Sequence, residues 1–273
     1  MNVKAVILAA GLGSRLCPLT PFCPKEMLPI GGYPAIHHIL YEIAESGISE
    51  VLAVLSEEKA SLREYFDREI TPKGEQACTM AKEREELLSE LRITVAFQQE
   101  LRGTADAIYL AKEFMGKDDL LVVFPDDILS LSKGGLSDGV RANRRLIAEA
   151  KKSGESVLLV QEIPRALASS YGVVRMRDRG EGFATVTDIV EKPQNYTEDR
   201  AHAMIGRMLL TPRLVATIPD LPVNDREGIV PALNSAAERG ELLAMAYDGR
   251  RFDIGSHDGY ESLLCAVYAG VGI

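Results

Sequence analysis

"AVILAAGLGSRLCPLTPFCPKEMLPI" runs from Ala5 to Ile30. It opens as a run of β-branched and small apolar residues, the composition of a strand buried on both faces. At Gly11 it breaks into glycine, arginine, proline and lysine. An interior strand that hands its chain to such a loop puts the loop at the carboxyl edge of a sheet, where open α/β sheets bind ligands. Gly11 and Gly13 lack Cβ atoms, so the backbone N–H groups around them can close on a phosphate as a nest. Arg15 and Lys25 add charge-assisted hydrogen bonds. No Gly-Lys-Ser/Thr follows, so this is not a Walker A loop, and Leu16 stands where a complete dinucleotide fingerprint has its last glycine. The plain alternative is a tight turn carrying surface cations.

Outward from this loop, short apolar runs alternate with amphipathic stretches. Val3–Ala9, Val51–Leu55, Ile93–Phe97, Leu120–Phe124 and Ser156–Val160 read as strands. Pro34–Ser46, a stretch from about Thr104 to Met115 and one from about Asp138 to Lys151 read as helices. The β-α-β-α order predicts an α/β fold, a Rossmann-like and mostly parallel sheet flanked by helices. After about residue 162 the texture becomes β-rich. Tyr171–Asp178 and Phe183–Pro193 read as paired strands around the turn Arg179–Gly182, and His202–Thr211 as a further strand. A helix around Arg226–Arg239, a strand at Leu242–Ala246 and a helix from about Asp258 complete the chain. No linker interrupts it, which predicts a single domain over 1–273 with an alternating α/β half (about 1–161) and a later β-rich half (about 162–273). The charged segment Asp67–Arg92 is expected to be helical after Pro72, with Met80, Leu87, Leu88 and Leu91 on one face. It is either a helix covering the sheet or a lid or subunit contact.

The chain has 40 acidic and 31 basic residues, a net charge of −9. That argues against a nucleic-acid-binding or anionic-membrane surface, each of which needs a basic face, but leaves room for a small anionic substrate held by a few local cations. Cys17, Cys23, Cys78 and Cys265 form no C-x-x-C pair, and no apolar run approaches membrane-spanning length. Reduced thiols in a cytoplasmic protein are the expectation. His37, His38, His202 and His257 show no metal spacing, and no G-x-S-x-G elbow is present, so nucleophilic catalysis by serine or cysteine has little support.

Three later motifs carry chemistry. In "VVFPDDIL", Asp126 follows an apolar strand, and a carboxylate at that rim suits Mg²⁺, which prefers hard oxygen ligands. Asp127 is adjacent and cannot readily chelate the same ion from an extended chain, so a loop-capping role fits it better. In "VEKP", Glu191 and Lys192 are either an exposed ion pair at a strand end or a sugar-hydroxyl acceptor beside a phosphate cation. In "RRFDIGSHDGY", Asp253 either caps a turn before the last helix or completes the Mg²⁺ site with Asp126.

Taken together, the opening loop with its downstream P-K-x-x-L-P, then "FPDDIL", "YGVV", "VEKP", "IGRM" and "FDIGSHDGY" in that order, resemble the signature of the sugar-nucleotide pyrophosphorylases over nearly the whole chain. "PKEMLPI" and the charged insert after Tyr65–Asp67 are most similar to the bacterial UTP–glucose-1-phosphate uridylyltransferase branch. The resemblance implies UTP and glucose 1-phosphate as substrates, Mg²⁺ as cofactor, and a homodimer or homotetramer. It implies backbone contacts from Gly11, Leu12 and Gly13 to the nucleotide, Arg15 and Lys25 on its phosphates, and Gln98 and Gly103 at the uracil edge. It further implies Mg²⁺ on Asp126 and Asp253, and glucose 1-phosphate on Gly172, Glu191, Lys192 and Gly206 with Arg207 nearby. Arg15, Lys25, Asp126 and Lys192 would carry the reaction. The sequence departs from the branch at "GTADA" (Gly103–Ala107), where G-L-G-H-A is usual, at Val223–Leu233, and at Met208 in place of a tyrosine. These departures keep a thymidylyl- or cytidylyltransferase and a non-catalytic sugar-nucleotide-binding protein as alternatives.

Overall fold

The computed structural model describes residues 2–67, 86, 89–129, 137–220 and 228–269. In chain order the strands are β1 (Val3–Leu8), β2 (Pro29–Ile30), β3 (Tyr33–Pro34), β4 (Glu50–Leu55), β5 (Arg92–Phe97), β6 (Asp119–Val123), β7 (Asp127–Leu129), β8 (Ser156–Pro164), β9 (Gly172–Gly180), β10 (Phe183–Glu191), β11 (Arg200–Leu210), β12 (Leu242–Ala246) and β13 (Arg251–Asp253). The α-helices are α1 (Ala35–Glu45), α2 (Ala60–Asp67), α3 (Gly103–Tyr109), α4 (Lys112–Met115), α5 (Asp138–Ser153), α6 (Pro212–Ala216), α7 (Val230–Glu238) and α8 (His257–Tyr268). The chain divides into two compact units. The loop unit comprises residues 4–99, 124–143 and 249–273, and the hairpin unit residues 1–3, 100–123 and 144–248.

In the loop unit, β1 pairs in parallel with β4 (Ala5↔Val51 to Leu8↔Val54), and β4 in parallel with β5 (Glu50↔Arg92 to Leu55↔Phe97). Ala5, Val6, Ile7, Ala53, Val54 and Leu55 are wholly buried. Their continuous apolar run is what a parallel strand covered on both faces demands. Helix α1 buries Ala35, Ile36, Ile39, Leu40 and Ile43. His37 and His38 are buried in the same helix. His38 Nε2 donates to the Ile30 carbonyl at 2.9 Å, and the His37 ring stacks on Tyr33 while Nδ1 shares a hydrogen bond with the Tyr65 hydroxyl. They are helix residues with structural partners, as their lack of metal spacing suggested.

In the hairpin unit, β6 pairs with β11, β11 with β8, β8 with β12, β12 with β10 and β10 with β9. Of these pairs only β8–β12 is parallel. Among them, only β9 and β10 are joined by a tight reversal, which permits only antiparallel pairing; it is made by Gly180, Glu181 and Gly182, all at positive φ. Parallel order holds among β1, β4 and β5 of the loop unit, while the hairpin unit is mixed. Strand β9 also pairs back to β11 at Ala203↔Val173, closing β11, β8, β12, β10 and β9 into a ring. Closure leaves those strands few open edges.

Two expectations change at their boundaries. The helix from Thr104 to Met115 is two helices, because Ala111 N–H bonds the Ile108 carbonyl, tightening the turn between α3 and α4. The short ladder β7–β13 carries no periodicity long enough to read from sequence. The helix expected after Pro72, with Met80, Leu87 and Leu88, lies outside the described residues.

Candidate active site

A three-residue ladder builds the site. β7 and β13 are antiparallel, with Asp127 opposite Asp253, Ile128 opposite Phe252 and Leu129 opposite Arg251. Ile128, Leu129 and Phe252 are buried, which gives the pairing its apolar support. Asp127, the second acid of "PDD", accepts a 2.7 Å hydrogen bond from Arg251 Nη1, and both side chains are almost wholly buried. Beyond the ladder, Ile254 N–H donates to the Asp126 carbonyl at 2.8 Å. Two motifs far apart in sequence are thereby fixed together, and their outer acids, Asp126 and Asp253, are brought to one place.

The opening loop delivers a cation to each acid. Gly13, at φ 69° and ψ 35°, begins a short 3₁₀ turn over Ser14–Leu16, which carries Arg15. Arg15 reaches Asp253 with both Nη atoms, at 3.2 and 3.4 Å. Further along, Pro24 leads into a second 3₁₀ turn over Lys25–Met27. Lys25 Nζ lies 2.5 Å from Asp126 Oδ2. Burial pushes the Asp126 carboxyl up, but the charge and hydrogen bond of Lys25 and the charge of Arg15 outweigh it and hold the group below the usual carboxylate range. Burial pulls Lys25 down, and Asp126 and Glu26 more than offset it, so the ammonium titrates above its ordinary value. The pair is charged throughout the neutral range. The neighbouring Cys23 thiol is pushed up by burial and by Glu26, which disfavours a thiolate nucleophile.

The residue after Lys25 points the other way. Glu26 is completely buried and accepts a 2.7 Å hydrogen bond from Lys59 Nζ, itself 6% exposed. Burial pulls Lys59 below its ordinary value, and Glu26 offsets this only in part. Glu26 thus anchors the turn that presents Lys25. Glu26, Lys59 and Arg251 were missed in the sequence because none lies in a spacing that names a ligand. The available signal was slight: Glu26 stands directly before the apolar run "MLPI".

The acids suit a divalent cation. A Cβ on Gly255 would sit 2.8 Å from Asp126 Oδ2, 2.9 Å from Asp253 Oδ1 and 2.8 Å from Arg15 Nη2. Two carboxylate oxygens therefore flank one point, which only glycine leaves open. Among the described residues no group of three or more His, Cys, Asp or Glu side chains could hold a metal. Two carboxylates with the rest of the shell left to substrate and water suit a hard divalent cation in an open site rather than in a closed protein cage.

The remaining candidates are placed as follows. In the loop unit, Leu12 is about half exposed, and buried Gln98 donates its backbone N–H to the Leu55 carbonyl at 2.8 Å. Gly11 is exposed, with nothing within 4 Å of a built Cβ. In the hairpin unit, Gly103 opens α3 at φ 85°. Gly172 pairs with Glu191 across the β9–β10 ladder, and Lys192 Nζ lies 3.0 Å from Glu191 Oε1. Lys192 has φ 46°, a conformation a non-glycine residue adopts at a cost of order 1–3 kcal/mol. Its N–H donates to the Tyr171 carbonyl, which holds it there. Gly206 and Arg207 lie where β11 shifts register between Met204 and Met208. Arg207 is wholly buried, with Nη1 donating to the Gly206 carbonyl.

Three outcomes follow from this geometry. Gly255→Ala should force Asp126 and Asp253 apart and lower kcat/KM by about 100-fold, the scale of an ångström's misplacement; unchanged kinetics would contradict it. Glu26→Leu should cost about 3–5 kcal/mol in urea unfolding by leaving Lys59 buried without its carboxylate, and Glu26→Leu with Lys59→Met should recover most of that. An equally unstable double variant would show that the pair is not the cause. Finally, because Asp126 is depressed in the fold, its ionisation stabilises the protein above the unfolded value of about 3.9, and that contribution is lost as pH falls through the folded value. Asp126→Asn should show a shallower loss of stability below about pH 4; identical acid limbs would contradict the assignment.

The nucleotidyl transferase family model matches residues 4–268. UTP–glucose-1-phosphate uridylyltransferase 1 of Streptococcus pyogenes serotype M1 is 32% identical over 266 residues, covering 94% of this chain and 86% of that protein. A crystal structure of UDP-glucose pyrophosphorylase complexed with UDP-glucose superposes with a TM-score of 0.85 at 28% identity, covering 99% of this chain and 100% of the other. A UTP-bound UGPase from Acinetobacter baumannii gives 0.79 at 27% identity, over 97% and 93% of the two chains. With the match running through the cation loop, the paired acids and the last helix, the chain belongs to the nucleotidyl transferase family.

Proposed function

We propose that this protein makes UDP-glucose and pyrophosphate from UTP and glucose 1-phosphate. The observation that carries the reading is the convergence of Arg15, Asp126 and Asp253 around Gly255, with Lys25 held on Asp126. The relatives support the choice of substrates: one is named a UTP–glucose-1-phosphate uridylyltransferase, and a solved neighbour holds UDP-glucose.

The reaction forms a bond between a phosphate oxygen of glucose 1-phosphate and the α-phosphorus of UTP, and breaks the bond from that phosphorus to the β-phosphate oxygen. The attacking group is already anionic at neutral pH, so no general base is needed, in accord with a site built from cations and carboxylates. The obstacle is charge. Two like unit charges at ~4 Å repel by about 4 kcal/mol at an effective dielectric near 20. Arg15 and Lys25 would turn from their carboxylates to the triphosphate, leaving Asp126 and Asp253 for Mg²⁺. When bound, Mg²⁺ supplies Lewis-acid stabilisation of charge on the α-phosphate. Gly11, Leu12 and Gly13 would offer backbone N–H groups to the nucleotide, with Gln98 and Gly103 at the uracil. Gly172, Glu191, Lys192 and Gly206 would hold glucose 1-phosphate, Lys192 on its phosphate and Glu191 on a sugar hydroxyl. Alignment of two bound anions then supplies much of the rate.

The test is pyrophosphate release with Mg²⁺, glucose 1-phosphate and each of UTP, dTTP, CTP, ATP and GTP. UTP should be strongly preferred. Preference for another nucleotide would overturn the uridylyl assignment while keeping the mechanism, and no release with any would overturn the function. Asp126→Ala should abolish most turnover with UTP while leaving the fold intact by circular dichroism.

A further inference from the structure

Two of the three segments singled out in the sequence, "GTADA" and Val223–Leu233, meet each other in the hairpin unit. Thr104, in "GTADA", accepts a 3.2 Å hydrogen bond from the backbone N–H of Ile229, the residue before α7 (Val230–Glu238). Gly228 has φ 53°, and a Cβ there would lie 2.4 Å from Thr104 Oγ1. The threonine hydroxyl and this glycine therefore fit as a pair, and Thr104 directly follows Gly103 of the proposed base-binding loop.

At the far side of the same helix, Asn234 grips one residue of β10 twice. Its Oδ1 accepts from Ile189 N–H at 2.8 Å, and its Nδ2 donates to the Ile189 carbonyl at 2.9 Å. The reason lies in the sheet. β10 pairs with β12 only over Phe183–Thr185, so past Thr185 its outer backbone groups have no strand beside them. The Asn234 amide carries one donor and one acceptor and replaces a strand's peptide group there. Two residues beyond Ile189, β10 ends in Glu191, followed by Lys192 at φ 46° with its N–H on Tyr171.

We propose that Asn234 is a positioning residue for the Glu191–Lys192 end of β10, and that Thr104, through Gly228 and Ile229, sets where α7 and hence Asn234 stand. Helix α7 is then a strut from the base-binding loop to the sugar-phosphate strand. This rests on the assignment of glucose 1-phosphate to Glu191 and Lys192 above.

The experiment is steady-state kinetics of pyrophosphate release, varying UTP and glucose 1-phosphate separately, alongside melting temperatures. Asn234→Leu, which removes both hydrogen bonds, should raise KM for glucose 1-phosphate about tenfold or more, as expected for losing hydrogen bonds of ordinary strength. KM for UTP should stay within about twofold. Asn234→Asp keeps the acceptor for Ile189 N–H and should fall between. Thr104→Val should move the same parameter in the same direction, and Thr104→Ser should restore it. A melting temperature that falls while both KM values hold would overturn the proposal and leave Asn234 as a stabilising contact only. Equal rises in both KM values would also overturn it. Wild-type protein inactive with every nucleotide would refute the functional reading, and this proposal with it; an active wild type with unshifted variants would refute the proposal alone.

Discussion

The site depends on the 2.5 Å contact between Lys25 and Asp126. It joins the end of the opening loop to the acid that follows β6, and each partner offsets the burial of the other. An unpaired charge in that position would be costly. The second pair, Arg15 with Asp253, is more exposed and weaker in geometry, with 58% of the arginine side chain open to solvent. The arrangement is graded: before substrate arrives the more buried inner pair holds the loop, and the exposed outer arginine turns more freely. Exposed ion pairs contribute little to stability, so the outer pair makes more sense as a substrate contact than as a brace.

Around these charges the protein is organised to leave little choice of position. Asp127 and Arg251 lock the β7–β13 ladder, Glu26 and Lys59 lock the turn beneath Lys25, and Gly255 leaves the space between the two outer acids. Preorganisation of this kind matters for a reaction between two anions, where chemistry asks little of acid–base groups and much of placement. In the hairpin unit the same economy appears in different form. One strand end carries Glu191 and a Lys192 held in a left-handed conformation, and a side-chain amide continues the ladder where strand pairing stops.

Much of this was legible in the sequence, for physical reasons. β1 and β4 are continuous apolar runs, and a strand buried on both faces must be one. The loop cations were legible because glycine, proline and lysine after such a strand have few other uses, and Asp126 because it follows an apolar strand. The rest was not. Asp127 stands beside Asp126, and nothing local says which acid pairs inward with Arg251. The burial of Arg207 at a register shift of β11 depends on strand pairing rather than on composition. The mixed order of the hairpin unit comes from pairings between strands distant in sequence, such as β6 with β11 and β8 with β12, and the bond between Thr104 and Ile229 spans 125 residues.

The central claim is that the four charged groups receive a nucleoside triphosphate and a divalent cation together. Calorimetric titration of UTP with and without Mg²⁺ tests it most directly, comparing the wild-type chain with Asp253→Asn. The account predicts that Mg²⁺ tightens UTP binding to the wild-type chain by tenfold or more, about 1.4 kcal/mol, and that the Asp253→Asn chain loses most of this gain. Equal UTP affinity with and without Mg²⁺, or a gain untouched by Asp253→Asn, would contradict it.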